Sequence, residues 1–284
     1  MAARPRTLTA GASPVIIGAA AAYDTGLLII WVSVFALLSC MLLQIGTNLA
    51  NDYFDAVNGI DDENRLGPVR VTQTGLIAPH RVKQAFIICF VGAAVFGLPL
   101  VAWGGFTILA IGILSILFAY LYTGGPFPMA YMGMGEVLAF IFFGLVATGG
   151  VYYLNSHDVT LSVMIAGAGP GFIAAFLMGV NNLRDIHTDR AAGKKTLAVM
   201  LGEHAARRFV AGLLVASLCI PPLYLVFNPG QPMVLLASLG IVPFVPRFLK
   251  VFTAPIDAGF NLILAAAGKY LLVYALLFAA GVLA

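Results

Sequence analysis

Apolar residues run along this chain in long blocks separated by short polar segments, and the block length suits a membrane. Crossing a hydrocarbon layer about 30 Å thick takes roughly 17 to 25 apolar residues as a helix. Such blocks predict nine helices, at about 8–23, 27–50, 82–103, 105–122, 134–154, 159–181, 207–227, 232–249 and 262–283. The first is short and carries Pro14. No linker, charge block or low-complexity tail marks off a soluble unit, so residues 1–284 read as one all-α integral membrane bundle, a single transmembrane domain. Laying the first four blocks over the next four sets "NLANDYFD", at the end of the second, against "NNLRDIHTD", at the end of the sixth, a weak internal duplication.

Composition agrees with the pattern. Of the 284 residues 61% are hydrophobic and 10% charged, whereas soluble domains have about 45–50% apolar and about 25% charged residues. Charge then orients the bundle. With nine crossings, the N-terminus and the segments near 51–81, 123–133, 182–208 and 247–269 share one side, and all 15 Lys and Arg fall there. The opposite connections, "YDTG", "WGG", "YYLNSHD" and "NPGQP", carry none. The positive-inside rule makes the first side cytoplasmic, the arrangement expected in a bacterial inner membrane. The net charge of +3 is spread over several loops rather than gathered in a stripe, which argues against a nucleic-acid partner. Anionic lipid headgroups account for part of it, and nothing points to a protein partner. Cys40, Cys89 and Cys219 lie in separate blocks and read as packing residues. Tyr152 and Tyr153, near the outer side, are expected in an interfacial aromatic belt.

The chemistry concentrates at two block ends. At about 100° per residue, Gln44, Asn48, Asn51, Asp52 and Asp55 share one sector of their helix. The same arithmetic puts Asn182, Asp185 and Asp189 on one face of the other. Crowded carboxylates at membrane depth need a compensating cation. Mg2+ suits them, because it takes carboxylate oxygens, keeps some waters and favours phosphate oxygens for its remaining positions. Zn2+ does not, since the four His show no ligand spacing. Arg65, Arg70, Arg190, Lys194 and Lys195 stand close in sequence to the acids, and metal with Lys and Arg around a cavity can hold a departing diphosphate. The "GAGPGF" stretch at 167–172 has the wrong spacing for a phosphate loop and reads as close helix packing. The inner segment "YLYTGGPFPMAYMGMGE" adds Tyr122 and Tyr131 to the candidates for lining a cavity, and Glu136 stands beside it.

"NDYFD" at 51–55 and "DIHTD" at 185–189, the latter followed by "RAAGKKT", resemble the two Asp-rich motifs of the UbiA superfamily of intramembrane prenyltransferases. Within it, "NLANDYFDAVNGID", "TGGPFPMAYMGMGE" and "NNLRDIHTDRAAGKKTLAVMLG" are similar to the 1,4-dihydroxy-2-naphthoate polyprenyltransferases. The resemblance implies a nine-helix fold with functional cytoplasmic loops at about 51–81, 123–133 and 182–206. It also implies Mg2+-dependent transfer from polyprenyl diphosphate to 1,4-dihydroxy-2-naphthoate with loss of the ring carboxylate, giving demethylmenaquinone. Carried over residue by residue, it implies that Asn51, Asp52 and Asp55 bind one Mg2+ and Asp185 and Asp189 another, with Arg70 and Lys195 on the diphosphate. Asn48, Tyr122, Asn182 and Lys194 join them as substrate-binding residues on geometry. Gly59 stands where the superfamily has a further Asp, which leaves Asp61 as a possible replacement. Another acceptor, such as 4-hydroxybenzoate or haem, is the nearest alternative. An ion-coupled transporter would also have duplicated halves with membrane carboxylates, but it needs them near mid-membrane and not at helix ends.

Overall fold

The computed structural model describes residues 4, 7–57, 66–67, 72 and 75–284, and among these there is no β-strand. The helices are α1 (Thr9–Asp24), α2 (Ile30–Val57), α3 (Pro79–Leu121), α4 (Gly135–Phe140), α5 (Ala147–Ser156), α6 (Leu161–Arg184), α7 (Ile186–Ala191), α8 (Leu197–Leu201), α9 (Glu203–Phe227), α10 (Leu236–Leu239), α11 (Val245–Phe248), α12 (Lys250–Thr253) and α13 (Phe260–Leu283). A π-helical turn, Ile141–Val146, joins α4 to α5. Among the described residues, seven helical stretches are long and apolar enough to cross a membrane: Ile30–Val57, Pro79–Leu121, Gly135–Ser156, Leu161–Arg184, Glu203–Phe227, Pro232–Thr253 and Phe260–Leu283.

Two elements bear on how those stretches meet the nine predicted blocks. Helix α1 has only 16 residues. Helix α3 has 43, about 65 Å at 1.5 Å per residue, more than twice a hydrocarbon layer of about 30 Å. It breaks at Gly105, whose backbone (φ 68°, ψ −154°) is open to glycine and strained for other residues. The break falls where the sequence divides the blocks 82–103 and 105–122.

The block expected as a helix over 232–249 is instead a chain of short pieces: 3-10 turns at Pro232–Leu235 and Val242–Phe244 between α10, α11 and α12. Pro232, Pro243 and Pro246 each lack the N–H that a continuing helix requires, which explains the interruptions. Tyr152 departs from expectation too. It is buried with Ala21, Ala22 and Val163, because the inner face of α5 runs Thr148, Val151, Tyr152, Asn155 at helical spacing. Tyr153 is less buried, and its hydroxyl donates to Thr107 Oγ1 at 3.3 Å.

In lipid, helices gain little from hiding apolar surface, so close approach and van der Waals contact hold them together. Phe106, Ile88 and Val226 point outward, as a lipid-facing surface requires. Inside, α6 packs on α9 and α4, and α1 on α13 and α5. The widest core lies around α6, α9 and α13, where Phe176, Tyr270, Tyr274 and Phe278 are wholly enclosed. The glycines of "GAGPGF" make the close contact expected of them. A Cβ on Gly144 would lie 2.6 Å from Gly171 Cα and 2.7 Å from Gly167 O, so the π-helical turn and α6 touch backbone to backbone. Gly144→Val is therefore expected to destabilise the bundle by about 1–3 kcal/mol, read as a lower unfolding midpoint for the purified protein in detergent.

Candidate active site

Helix α2 carries its polar sector into its C-terminal turns. Gln44, Asn48, Asp52 and Asp55 are buried, while Leu49, Ala50, Tyr53 and Phe54 join an apolar cluster with Phe86 and Phe90. Asp52 is 2% exposed and its Oδ1 accepts from Arg4 Nη2 at 2.6 Å. Asp55 Oδ1 accepts from the Tyr131 hydroxyl at 2.9 Å. Asn51 Oδ1 accepts from the Thr123 hydroxyl at 2.7 Å, and Asn48 Nδ2 donates to Thr7 Oγ1 at 3.1 Å. The N-terminal segment and the loop after α3 thus both converge on this helix end.

The second acidic motif is built differently from its predicted single helix. α6 ends at Arg184, Asp185 takes a non-helical backbone, and α7 restarts at Ile186. The bend keeps Asp185 and Asp189 together, since Asp189 N donates to Asp185 O at 2.8 Å. Arg184, 2% exposed, grips both oxygens of Asp185, through Nε at 2.7 Å and Nη2 at 2.5 Å. Its Nη1 donates to Asn261 Oδ1 at 2.8 Å, and Asn261 Nδ2 donates to Leu66 O at 2.8 Å, so α13 is tied to the second acidic motif and to the segment between α2 and α3. Gly193, at φ 73°, reverses the chain after α7, and Lys194 N donates back to Asp189 O at 2.9 Å. That reversal lets Lys194 Nζ lie 3.6 Å from Asp55 Oδ1 and 3.7 Å from Asp189 Oδ1, 4.8 Å above the Tyr131 ring. One cation spans two carboxylates that are far apart in sequence. Burial pushes the Asp189 carboxyl up to about 7, helped by Asp185 and Asp55 and opposed by Lys194.

These groups enclose a chamber of about 150 Å³, lined by Asn48, Asn51, Asp55, Tyr122, Asn182, Asp185, Asp189 and Lys194. Asp52 lies behind Arg4, which itself lines the chamber. Lys195 is exposed and outside the lining; its backbone N–H donates to Tyr131 O at 3.0 Å and pins the loop. Arg70, Arg65, Gly59 and Asp61 lie outside the described residues. Asn182 Nδ2 donates to Glu136 Oε1 at 3.0 Å, and Glu136, 3% exposed, supports the chamber wall from behind. A larger groove of about 350 Å³ opens from the chamber between α2, α3 and the α4–α5 stretch, walled by apolar side chains such as Leu43, Leu98, Ile108, Phe142 and Leu154. Sequence spacing does not single out Arg4 or Arg184 as partners of the acids, because neither pairing follows from a helical period.

An acid-rich chamber continuous with an apolar groove, inside a helical membrane protein, suits a molecule with an anionic head and a hydrocarbon tail. Residues 12–259 match the UbiA prenyltransferase family, and the chain belongs to that family. It is 40% identical over 231 residues to 1,4-dihydroxy-2-naphthoate octaprenyltransferase of Escherichia coli K12, covering 79% of this chain and 75% of that one. The protein of the same name from Haemophilus influenzae is 38% identical over 230 residues, 76% of this chain and 73% of its own. In fold, the chain is similar to a UbiA homologue from Archaeoglobus fulgidus bound to GPP and Mg2+, with a TM-score of 0.67 at 17% identity over 100% of this chain and 98% of that one.

Removing one partner of a buried ion pair strands the other. Arg184→Met is expected to destabilise the protein by about 3–5 kcal/mol, while Arg208→Met, at an exposed position of α9, stays within about 0.5 kcal/mol. Thermal unfolding of the two variants side by side in detergent checks this.

Proposed function

We propose that this protein transfers a polyprenyl group from polyprenyl diphosphate to 1,4-dihydroxy-2-naphthoate, with loss of the ring carboxylate, to give the demethylmenaquinone skeleton. The observation that carries the reading is Lys194, held between Asp55 and Asp189, which brings both acidic motifs to one chamber continuous with an apolar groove. The names of the relatives support the naphthoate acceptor.

The donors suit Mg2+. They are hard oxygens in two sets, Asn51 with Asp52 and Asp55, and Asp185 with Asp189. Among the described residues no three His, Cys, Asp or Glu side chains gather as a dedicated cage would need. Mg2+ characteristically takes one or two carboxylates, keeps waters and completes its shell with phosphate oxygens, and the Archaeoglobus homologue was solved with GPP and Mg2+. Bound to these residues, the metal supplies charge neutralisation for the departing diphosphate. Lys194 and Arg4 add positive charge at the chamber wall, and we assign Arg70 and Lys195 to the same anion from the loops around it. Asn48, Tyr122 and Asn182 hold the reacting ends of the two substrates. The bond from the prenyl C1 to oxygen breaks with its electron pair on diphosphate, and the ring supplies the pair for the new carbon–carbon bond. Departure of the carboxylate as CO2 returns a pair to the ring, so the product leaves as the quinol.

We further infer nine crossings in one transmembrane domain, counting α1 and the two arms of α3 on either side of Gly105. The N-terminus and chamber then face the cytoplasm of a bacterial inner membrane, a reading supported by the one-sided distribution of all 15 Lys and Arg. Asp52 and Asp55 stand in the last turns of α2, which favours a reaction fed from the membrane surface over ion transport through mid-membrane.

Purified protein given polyprenyl diphosphate, 1,4-dihydroxy-2-naphthoate and Mg2+ is expected to form the prenylated naphthoquinol, detected by mass spectrometry as the quinone after oxidation by air. Asp55→Asn and Asp185→Asn each lower the rate by roughly a hundredfold or more, and a chelator abolishes it until Mg2+ is restored. Full activity in either variant removes the metal–diphosphate assignment.

A further inference from the structure

Gln44 stands at the seam where the chamber opens into the groove, and it lines both. It is 8% exposed, and its Oε1 is buried without a hydrogen-bond partner among the described residues. A buried carbonyl oxygen left without a donor carries its desolvation cost uncompensated, which an apolar side chain of similar size would avoid. The amide is therefore poorly explained by packing, and a ligand that brings a donor explains it better.

The chemistry of the two substrates narrows the choice. Gln44 lies one turn deeper than Asn48 and about 10 Å from Asn51 along the axis of α2 at 1.5 Å per residue, on the tail side of the acids. The hydrocarbon tail has no polar atom. An ionised diphosphate has only acceptor oxygens. The naphthoate has hydroxyl groups; the one beside the carboxylate donates to it internally, which leaves the hydroxyl on the far side of the ring as the free donor. Tyr122, Phe143 and Met178 share the seam with Gln44 and offer aromatic and thioether surface to a flat bicyclic ring.

We propose that Gln44 Oε1 accepts the hydrogen bond of the acceptor's free phenolic hydroxyl, fixing the ring at the chamber–groove seam and selecting for hydroxylated aromatics. This rests on the prenyl-transfer reading above. A site built around a buried acceptor rejects analogues that lack the matching hydroxyl, because the oxygen is then left unpaired.

The test compares 4-hydroxy-2-naphthoate with 2-naphthoate as inhibitors of naphthoate prenylation by wild type, Gln44→Leu and Gln44→Met. In wild type the hydroxylated compound is expected to bind about tenfold or more tightly than the other. In both variants that preference falls to about onefold, while the KM for polyprenyl diphosphate stays within about twofold, which reports an intact chamber. Gln44→Met keeps the test alive if the branched Leu does not fold, since Met adapts to irregular space. A hydroxyl preference retained by the folded variants overturns the role of Gln44 and leaves prenyl transfer untouched. Failure of the wild type to prenylate 1,4-dihydroxy-2-naphthoate while still binding the diphosphate overturns the underlying reading and this one with it.

Discussion

Carboxylates near a hydrocarbon layer are costly unless they are paired, and that requirement organises the C-terminal end of α2 and the segments around it. Each of the four motif aspartates has a cation beside it: Arg4 from the N-terminal segment for Asp52, the neighbouring Arg184 for Asp185, and Lys194 across Asp55 and Asp189. These contacts, with the Tyr131 hydroxyl and the Asn261 amide, draw five separate segments around one small chamber. Apolar packing alone would not choose that arrangement, because lipid-facing and helix-facing Leu or Val differ little in energy. Charge supplies the specificity that the greasy surfaces lack.

Much of this was legible beforehand. Long apolar blocks announce membrane helices because the bilayer's thickness is fixed, and the break between 82–103 and 105–122 is visible as "WGG", where Gly105 does take a backbone that other residues resist. The polar sector of α2 follows from helical geometry alone, and Gln44 through Asp55 are where the arithmetic puts them. The second motif resisted the same arithmetic, since it assumes a continuous helix and the chain turns at Asp185. The cations were harder still. A count of Arg and Lys per loop treats Arg184 as a surface charge, whereas it is among the most deeply enclosed side chains, and Arg4 reaches its partner across 48 residues of sequence. The Pro-rich block after 232 shows the complementary error, where hydropathy is silent about backbone continuity.

The chamber and the groove are made from different materials. Oxygen-bearing residues on helix ends and loops form the first, and the middles of α2, α3 and the α4–α5 stretch form the second. The π-helical turn at Ile141–Val146 belongs to the groove wall through Phe142, Phe143 and Val146. Inserting a wider turn there rotates side chains away from the register an α-helix would impose, a device often found near binding sites. The backbone contact of Gly144 with α6 keeps that turn from shifting.

The groove wall also contains Gly97, Gly112 and Gly150, none of which lines the chamber. Enlarging any of these residues would shorten the space for a tail without disturbing the acids, and shrinking a Leu or Phe there would lengthen it. On the proposed reading, such changes would alter the length of isoprenoid that the groove accepts and leave untouched the acids that hold the reacting head.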